Sequence, residues 1–377
     1  MKNKKILFIV SNMRVGGGAE RSVSYLCNGL KKHYDVELLT FYNDKKEYSV
    51  NVKRHSFNDE NKSNLLIKFF RFFVKYPLKL RRFLKKNNYD LVVSNADDAN
   101  LVSHLTKKVF YKKIKLWSVI RADIQNKVYT KTLFLYKYAD KIITICKSLE
   151  DKYSKVFPKK YFATLYNALD FEDIKEKLKE KIPKAEEKVY SEKTITAVGR
   201  FVPQKNYFFL IEVFKEVLKE RIDVKLLIFG TGSQEQEIKN KIKEEKLEQK
   251  IILMSVKKNI FPYLKKTSVF VLPTNYEGMP RVLMEALSCG CVSVANNCPT
   301  GPAEILDDIL THEFKDQKYK KAKYGYLVPL NDKEEFRKAI IDALKNGKPY
   351  KAKAIKRAKD FSLTKVTKDW VEEIERS

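Results

Sequence analysis

Short, β-branched apolar runs alternate with stretches of helical period along the chain. In the first half, the apolar runs occupy residues 5–10, 36–41, 91–96, 116–122, 141–146 and 162–167. In the second half, they occupy residues 194–199, 224–230, 251–256, 269–274, 291–297 and 324–330. Continuous apolar runs of this length, separated by helices, are typical of parallel strands that are buried on both faces. The pattern therefore predicts two successive arrays of strands and helices.

The charged stretch 171–193 has no strand pattern, and we predict that it links the two arrays. A chain of 377 residues is longer than one hydrophobic core usually needs. We predict an α/β protein with two doubly wound, Rossmann-like domains, residues 1–180 and 190–360, facing each other across a cleft. A final helix in residues 361–377, anchored by Trp370, is predicted to pack back toward the first domain. A single large sheet or a β/α barrel is the alternative, and the charged stretch argues against the barrel.

Composition favours a globular protein of the cytoplasm. Hydrophobic residues make up 44% of the chain, which is enough to form buried cores. The five cysteines form no paired framework and the four histidines are scattered, so we expect free thiols and no metal site. The first apolar run is too short for a signal peptide, and no window reaches the ~18 apolar residues of a spanning helix. We expect a protein that is soluble or lies on a membrane surface.

The net charge of +29 is distributed unevenly. Residues 1–185 contain 40 Lys and Arg against 19 Asp and Glu, whereas the remainder contains 36 against 28. A strongly basic half predicts polyanionic partners, namely nucleic acid, anionic lipid or phosphorylated substrates. The alternative is a lysine-rich composition that only keeps the protein soluble.

A glycine triplet, residues 16–18, follows the first predicted strand and precedes a predicted helix. Backbone amides and the helix dipole can bind an anion at such a place. Arg21 stands where a dinucleotide fingerprint has its third glycine, so the pattern disfavours an NAD site. A turn that receives a phosphate or sugar and a turn with only a structural role both remain open.

Two cations, Arg200 and Lys205, follow the first strand of the second array in "AVGRFVPQKN". Ligands of open α/β sheets bind at the carboxyl ends of the strands, where this loop is predicted to lie. An arginine and a lysine can together bind a diphosphate. A solvated pair of surface charges is the alternative, and the position of the loop favours a function.

Two glutamates lie eight positions apart in "NYEGMPRVLMEALSCG", residues 275–290. If residues 280–289 form a helix with Pro280 in its first turn, Glu277 lies just before it and Glu285 lies within it. Sugar hydroxyls need both donors and acceptors, which the Glu277 carboxylate and the neighbouring amides would supply. A simple helix cap is the alternative for Glu277. Glu285 stands among apolar residues and needs a partner, for which a ribose diol is suitable.

These motifs together resemble the family-4 retaining glycosyltransferases of the GT-B fold, of the kind that builds bacterial surface glycans or lipid-linked oligosaccharides. The resemblance rests on the two glutamates with their surroundings, on "GPAEIL" at 301–306 and on "YGYLVPL" at 324–330. The segments 17–21, 164–174 and 199–206 match in the same order, so the resemblance spans nearly the whole chain.

The resemblance implies a donor site built by both domains. Arg200 and Lys205 would neutralise the diphosphate of a nucleotide sugar, Glu277 would hold the sugar and Glu285 the ribose. Arg200, Lys205 and Glu277 are the implied catalytic residues. The implied donor-binding residues are Gly17, Gly18, Arg121, Arg200, Lys205, Glu277, Gly278, Met279, Pro280 and Glu285.

The resemblance also implies the chemistry. Such enzymes are similar in needing no metal and no cofactor, since the nucleotide sugar is a substrate, commonly UDP-linked. The sugar would be a hexose or an N-acetylhexosamine, and the leaving phosphate would take the acceptor proton, so no protein nucleophile is expected. Many members have a histidine where this chain has Arg121, which cannot be a general base and would contact phosphate or sugar. Residues 311–323 are predicted to be a surface insertion.

A basic, aromatic stretch at 64–86 is predicted to be an amphipathic helix with a kink at Pro77. It would bind an anionic membrane, and a core-facing helix with a solvated basic face is the alternative. We expect a saccharide acceptor, lipid-linked at the inner face of the cytoplasmic membrane, in bacterial glycan biosynthesis. The residues predicted to contact the membrane or acceptor are Lys68, Phe69, Phe70, Arg71, Phe72, Phe73, Lys75, Lys79, Arg81 and Arg82.

Two other functions remain as alternatives. Charge alone suggests a nucleic-acid-binding protein, although no recognition motif supports it. A nucleotide-sugar epimerase or hydrolase of the same fold would keep the donor site but lack an acceptor surface. Binding of DNA without binding of a nucleotide sugar favours the first, and product analysis separates the second.

Overall fold

The computed structural model describes residues 4–15, 17–44, 46–59, 69–123, 127–191 and 193–377. The chain forms two compact units. The first consists of Met1–Ala168 with Leu363–Ser377, and the second of Leu169–Ser362.

The first unit contains a seven-stranded sheet in the order β3-β2-β1-β4-β5-β6-β7, with every neighbouring pair parallel. Its strands are β1 (Lys5–Val10), β2 (Asp35–Tyr42), β3 (Lys53–Asp59), β4 (Leu91–Asn95), β5 (Leu116–Ile120), β6 (Lys141–Thr144) and β7 (Tyr161–Thr164). Its α-helices are Gly18–Leu30, Tyr76–Asn87, Asp97–Leu105, Lys127–Thr132, Lys147–Val156 and Leu363–Glu375. The turns Arg71–Lys75 and Thr106–Phe110 are π-helical, and Leu133–Tyr138 is a 3-10 helix.

The second unit also contains a seven-stranded sheet, in the order β10-β9-β8-β11-β12-β14-β13. Its strands are β8 (Lys193–Val198), β9 (Val224–Phe229), β10 (Ile251–Met254), β11 (Val269–Leu272), β12 (Val292–Asn296), β13 (Lys320–Lys321) and β14 (Tyr326–Val328). The strand β13 is antiparallel to β14, and the other strand pairs described in this sheet are parallel. The α-helices are Phe171–Lys177, Lys184–Glu187, Tyr207–Glu220, Glu235–Glu244, Phe261–Lys266, Arg281–Ser288, Pro302–Asp307, Lys333–Asn346 and Tyr350–Lys359. The 3-10 helices are Lys188–Ser191, Pro203–Lys205 and Thr311–Glu313.

Apolar strands in both units explain why parallel sheets form. The strand β1, with the sequence "KILFIV", is buried from Ile6 to Val10, and the central strands β8 and β11 are almost as deeply buried. Helices cover both faces of such a sheet, so neither face is exposed to water. The fold class predicted from the sequence, two parallel α/β domains, is confirmed.

Each sheet has a point where the strand order reverses. In the first sheet β1 lies between β2 and β4, and in the second β8 lies between β9 and β11. The connections on the two sides of such a strand lie on opposite faces, which opens a crevice at the carboxyl ends. The loops after β1, β4, β8 and β11 are therefore the places where a ligand is expected.

Three regions differ from the sequence interpretation. The strand β3 has an exposed, polar sequence, "KRHSFND", and lies at an edge of the sheet, so its pattern did not predict a strand. Within the predicted surface insertion, Lys320–Lys321 form β13, which pairs with β14. The predicted linker carries helices that belong to the second unit, because Ile182 is buried in a cluster with Leu227, Phe229 and Tyr263.

The C-terminal helix Leu363–Glu375 belongs to the first unit. The ring of Trp370 lies 6.0 Å from that of Phe8 and 6.3 Å from that of Trp117, measured between centroids. At its end, Glu375 accepts hydrogen bonds from Tyr34 at 2.6 Å and from Lys4 at 3.1 Å. The end of the chain thus completes the core of the first unit.

No helix among the residues that the structure describes is both long enough and apolar enough to span a bilayer.

Candidate functional site

The loop after β8 turns sharply at the carboxyl edge of the second sheet. The Gly199 amide donates to the Phe229 carbonyl at 2.9 Å, and the 3-10 turn Pro203–Lys205 follows. A Cβ on Gly230 would lie 2.0 Å from the Gly199 carbonyl oxygen. The loop after β9 therefore lies too close to Gly199 to allow any side chain at position 230. Arg200 is exposed at this edge, whereas the side chain of Lys205 is mostly buried.

The loop after β11 carries Glu277 to the same edge. Pro280 stands at the N-cap of the helix Arg281–Ser288 with ψ 102, so it precedes the helix instead of lying in its first turn as predicted. Gly301 has φ +93, and a Cβ there would lie 2.5 Å from both the Gly278 carbonyl oxygen and Pro280 Cδ. The "GPAEIL" segment therefore supports the Glu277 loop from behind, which explains why both motifs occur together.

Hydrogen bonds of Gln204, Asn206 and Asn275 join the loops after β8 and β11. The Asn275 amide donates to the Gln204 carbonyl at 2.9 Å, and the Gln204 side chain donates to the Tyr276 carbonyl at 2.8 Å. The Asn275 side chain donates to the Pro203 carbonyl at 3.2 Å and accepts from Asn206 at 3.1 Å. These bonds fix the two loops to each other on both sides of Lys205.

Lys205 and Glu277 form an ion pair at the centre of this arrangement. The distance from Lys205 Nζ to Glu277 Oε1 is 2.5 Å, and only 13% and 10% of the two side chains are exposed. Charged hydrogen bonds are strong when water is largely excluded. Burial raises the pKa of the nearby Cys298 thiol to about 12, and the charge of Glu277 contributes to the shift. The pair places a cation and a hydrogen-bond acceptor side by side at this edge.

Glu285 is buried in the helix Arg281–Ser288, and its carboxylate lies 3.4 Å from Arg281 Nε. Arg281, four positions earlier in the same helix, thus supplies part of the partner that the buried carboxylate of Glu285 was expected to need. Gly278, Met279 and Pro280 are also buried beside it. The contact of Glu285 with a ribose stays a prediction.

The carboxyl edge of the first sheet holds a different set of groups. Gly17 is the N-cap of the helix that begins at Gly18, after β1. Arg121, after β5, donates from Nη1 to Asn167 Oδ1 at 2.9 Å and from Nη2 to Asn95 Oδ1 at 2.7 Å. Asn167 Oδ1 also lies 2.9 Å from Ser22 Oγ in the first turns of the glycine helix. A hydrogen-bonded chain therefore joins Arg121 to the helix that follows the glycine loop.

Asp97 lies at the same edge, in the first turn of the helix after β4. Burial and the neighbouring charge of Asp98 raise the pKa of the Asp97 carboxyl to about 6. Carboxylates with a raised pKa near the carboxyl ends of strands are candidates for substrate contacts. The sequence reasoning did not single out Asp97, and no periodic pattern marks it.

The residues predicted to contact the membrane or acceptor differ in their exposure to solvent. Lys68 lies outside the described residues. Phe69 and Phe70 are exposed, whereas Arg71 and Phe72 are buried. Lys75 and Lys79 lie 2.9 Å and 3.8 Å from the carboxylate of Asp59. Of the remaining residues, Arg82 is exposed, and Phe73 and Arg81 are partly buried.

The helix of this region continues through Pro77. The π turn Arg71–Lys75 comes first, and Pro77 is then the second residue of the helix Tyr76–Asn87. Proline is tolerated in a first turn, where its missing amide has no partner within the helix. Phe69, Phe70 and Val74 are exposed apolar side chains that precede this helix, and Val74 lies in the π turn.

Within the described ranges, no three His, Cys, Asp or Glu side chains are grouped so that they could hold a metal ion.

The comparisons with known proteins agree over the length of the chain. Residues 16–173 match the family profile described as Glycosyltransferase Family 4, and residues 178–361 match Glycosyl transferases group 1. A Campylobacter jejuni relative, named as N-acetylgalactosamine-N,N'-diacetylbacillosaminyl-diphospho-undecaprenol 4-alpha-N-acetylgalactosaminyltransferase, is 30% identical over 94% of both chains. This chain belongs to glycosyltransferase family 4.

Solved structures agree on the fold of this glycosyltransferase, which is GT-B. Sucrose-phosphate synthase from Thermosynechococcus elongatus superposes with a TM-score of 0.78 at 16% identity, over 99% of both chains. HepE from Anabaena, solved with UDP and glucose, superposes with a TM-score of 0.74 at 15% identity, over 100% of both chains. The family resemblance drawn from the sequence motifs is confirmed.

The structure adds residues that the sequence reasoning missed in the glycosyltransferase. Gln204, Asn206 and Asn275 join the two loops of the second unit, and Thr300 Oγ1 donates to the Glu277 carbonyl. In the first unit, Asn95 and Asn167 hold Arg121. Asn95 is the last residue of β4, and each of the others lies in the segment that follows a strand. This placement is the signal that could have identified them.

Proposed function

We propose that this glycosyltransferase is a retaining enzyme that transfers a hexose or an N-acetylhexosamine from a UDP-sugar to a saccharide acceptor. The observation that carries the proposal is the Lys205–Glu277 pair at the carboxyl edge of the second sheet, with Arg200 exposed on the same loop. HepE, a protein of the same fold, was solved with UDP and glucose, which supports a uridine nucleotide.

Arg200 and Lys205 stabilise the leaving diphosphate. The bond between the anomeric carbon and the diphosphate oxygen breaks, and negative charge accumulates on the phosphates. Cations held in place before the reaction stabilise that charge more in the transition state than in the ground state. Glu277 accepts hydrogen bonds from the donor sugar, and Glu285 accepts them from the ribose.

The new bond forms between the anomeric carbon and the acceptor oxygen on the face from which the diphosphate leaves. The acceptor proton passes to an oxygen of the leaving phosphate, so the reaction needs no protein nucleophile and no metal ion. Gly17, Gly18 and Arg121 also contribute to donor binding.

The acceptor is a lipid-linked saccharide, and the enzyme works as a peripheral protein on the inner face of the cytoplasmic membrane, in the biosynthesis of a bacterial glycan. The name of the Campylobacter relative describes transfer to a diphospho-undecaprenol-linked saccharide, which supports this acceptor. The exposed Phe69, Phe70 and Val74, followed along the helix by exposed Arg82 and Lys85, offer a surface for an anionic bilayer.

A thermal-shift panel of nucleotides and nucleotide sugars tests the donor site. We expect UDP and at least one UDP-sugar to raise the melting temperature of the wild-type protein, because a ligand that binds only the folded state stabilises it. Arg200→Ala is expected to abolish most of this shift without lowering the melting temperature of the free protein, since Arg200 is exposed. Stabilisation by no nucleotide would overturn the proposed function.

Flotation with liposomes that contain anionic lipid tests the membrane surface. Phe69→Ser with Phe70→Ser is expected to reduce the bound fraction several-fold, because two exposed aromatic rings no longer enter the interface. Tyr161→Ser is the matched control, since Tyr161 is an exposed aromatic residue of the same unit on the edge strand β7. Equal binding by the wild type and the double variant would contradict the membrane assignment.

A further inference from the structure

Three asparagine side chains meet at the carboxyl edge of the second sheet. Asn206 directly follows Lys205, and its side-chain amide donates to Asn275 Oδ1 at 3.1 Å and to Asn331 Oδ1 at 2.9 Å. Asn206 lies in the loop after β8, Asn275 in the loop after β11 and Asn331 in the loop after β14. One amide group therefore joins three loops, and both of its N–H donors are used.

The backbone alone does not require this asparagine. Asn206 has φ 56 and ψ 43, and Asn331 has φ 62, which is left-handed backbone that asparagine tolerates and glycine adopts more readily. Glycine at position 206 would form the same turn. A substitution at this position can therefore remove the hydrogen bonds of the side chain without changing the backbone conformation.

Gln204 makes the corresponding contacts on the other side of Lys205. Its side chain donates to the Tyr276 carbonyl at 2.8 Å, and its own carbonyl accepts from the Asn275 amide at 2.9 Å. Lys205 is therefore flanked by two residues that are bound to the Asn275–Tyr276 stretch, which directly precedes Glu277. The positions of Lys205 and Glu277 are therefore set by the hydrogen bonds of the neighbouring residues as well as by the attraction between the two charges.

We propose that Gln204 and Asn206 are positioning residues of the donor site, which hold the Lys205 ammonium and the Glu277 carboxylate where a nucleoside diphosphate meets both. The inference rests on the proposed function, since it takes Lys205 as a ligand of the diphosphate. Lysine is a point charge on a flexible stem, so its place is set by what holds its backbone and its partner. Such prior positioning lowers the entropy lost on binding and strengthens the electrostatic stabilisation of the leaving group.

A purely structural role makes a different prediction. If the asparagine cluster only stabilised the start of the helix Tyr207–Glu220, its loss would weaken the fold and affect ligand binding equally whether or not Lys205 is present. A positioning role acts through Lys205, so its effect on binding must depend on that lysine. The two roles are separated by a double-mutant cycle.

The experiment is calorimetric titration of UDP into the wild type, Asn206→Gly, Lys205→Ala and the double variant, with melting temperatures measured in parallel. We expect Asn206→Gly to raise the Kd of UDP by roughly tenfold in the wild-type background and by less than about twofold in the Lys205→Ala background. The fall in melting temperature caused by Asn206→Gly should be similar in both backgrounds. An equal fold-change of Kd in both backgrounds, or an unchanged Kd in Asn206→Gly, would overturn the inference.

Two further variants distinguish the hydrogen bonds from the turn. Asn206→Asp keeps the size of the side chain and tolerates the left-handed backbone, but it places oxygens against Asn275 Oδ1 and Asn331 Oδ1. Its Kd for UDP should rise at least as much as that of Asn206→Gly, and wild-type affinity would refute a role for the amide donors. Asn58→Gly is the matched control, because Asn58 has φ 52 and accepts from Asn43 at 2.7 Å in the first unit. UDP affinity should not change in this control, and a comparable loss there would also refute the inference.

Failure of the inference and failure of the proposed function give different results. If the wild type binds UDP, Lys205→Ala weakens it and Asn206→Gly does not, only the positioning role is refuted. If the wild type binds neither UDP nor GDP nor ADP, the donor assignment is refuted and this inference with it.

Discussion

The two sheets of this protein carry charged groups at their carboxyl edges, but they hold those groups in different ways. In the second unit, Lys205 and Glu277 neutralise each other at 2.5 Å, and hydrogen bonds between the loops surround the pair. In the first unit, Arg121 is held by the neutral amide oxygens of Asn95 and Asn167, and burial raises the pKa of Asp97.

The difference indicates which groups are in place before a substrate binds. An ion pair bounded by hydrogen bonds holds both side chains in place, which suits a site that must stabilise a leaving diphosphate. A carboxyl whose charge is disfavoured by burial suits a group that makes a hydrogen bond with a substrate. We therefore interpret the second edge as the preformed part of the proposed donor site.

The largest expected effect contrasts the two arginines. Removing one group that stabilises the transition state lowers kcat by about 10²–10³-fold in comparable sites. We expect Arg200→Ala to lower the transfer rate by about that factor, whereas Arg121→Ala lowers it by only about tenfold, because Arg121 is already engaged with two amide oxygens. Initial rates with a UDP-sugar and a lipid-linked acceptor measure both. Equal losses would remove the distinction between the edges.

A smaller difference is expected between the stabilities of two glycine variants. Gly301 has φ +93 and no room for a Cβ, so Gly301→Ala is expected to cost about 1–3 kcal/mol of unfolding free energy and to weaken UDP binding. Gly18 has nothing within 4 Å of a Cβ position, so Gly18→Ala is expected to be neutral or to stabilise by about 0.5 kcal/mol. Chemical denaturation of both variants checks the pair, and a tolerated alanine at 301 would contradict the steric argument.

The smallest effects are pH-dependent and have opposite signs within the first unit. The pKa of Asp97 is raised to about 6, so Asp97→Asn should stabilise the protein by about 1–2 kcal/mol above pH 6 and have no effect below pH 4. Burial alone would raise the pKa of Glu37, but hydrogen bonds from Tyr89, His55 and Lys5 outweigh it and lower the pKa to about 2.

Glu37 therefore stabilises the folded state above its unfolded pKa, and this contribution is lost as the pH falls toward 2. Glu37→Gln should destabilise the protein by about 2 kcal/mol at pH 7 and by progressively less below pH 4.5. Melting temperatures of both variants from pH 3 to pH 8 measure the two trends. If the stability of Asp97→Asn followed the wild type at every pH, the burial argument for that carboxyl would be wrong.

The sequence predicted the buried parallel strands well, because apolar runs between helices leave few other arrangements. Most of the predicted runs extend past the observed strands at their carboxyl ends. Residues 162–167 were predicted as a strand, for example, while β7 ends at Thr164. Arg121 and Asn167 lie in such extensions, since apolar periodicity does not show where the hydrogen-bonded ladder ends.

The edge strand β3 and the short β13 could not be predicted from apolar periodicity, because neither has the continuous apolar sequence of a buried strand. Family motifs singled out Lys205 and Glu277, but not the bonds that Gln204 and Asn206 make to residues 72 and 69 positions away in the chain. Such contacts depend on the order of the strands, because β8 and β11 become neighbours only in the folded sheet.

The most direct test of the donor assignment is calorimetric titration of UDP into the wild type and Arg200→Ala under the same salt conditions. The account predicts saturable binding to the wild type and a Kd at least about tenfold higher in the variant, with an unchanged melting temperature of the free protein. Equal affinities for UDP in the two proteins would contradict it.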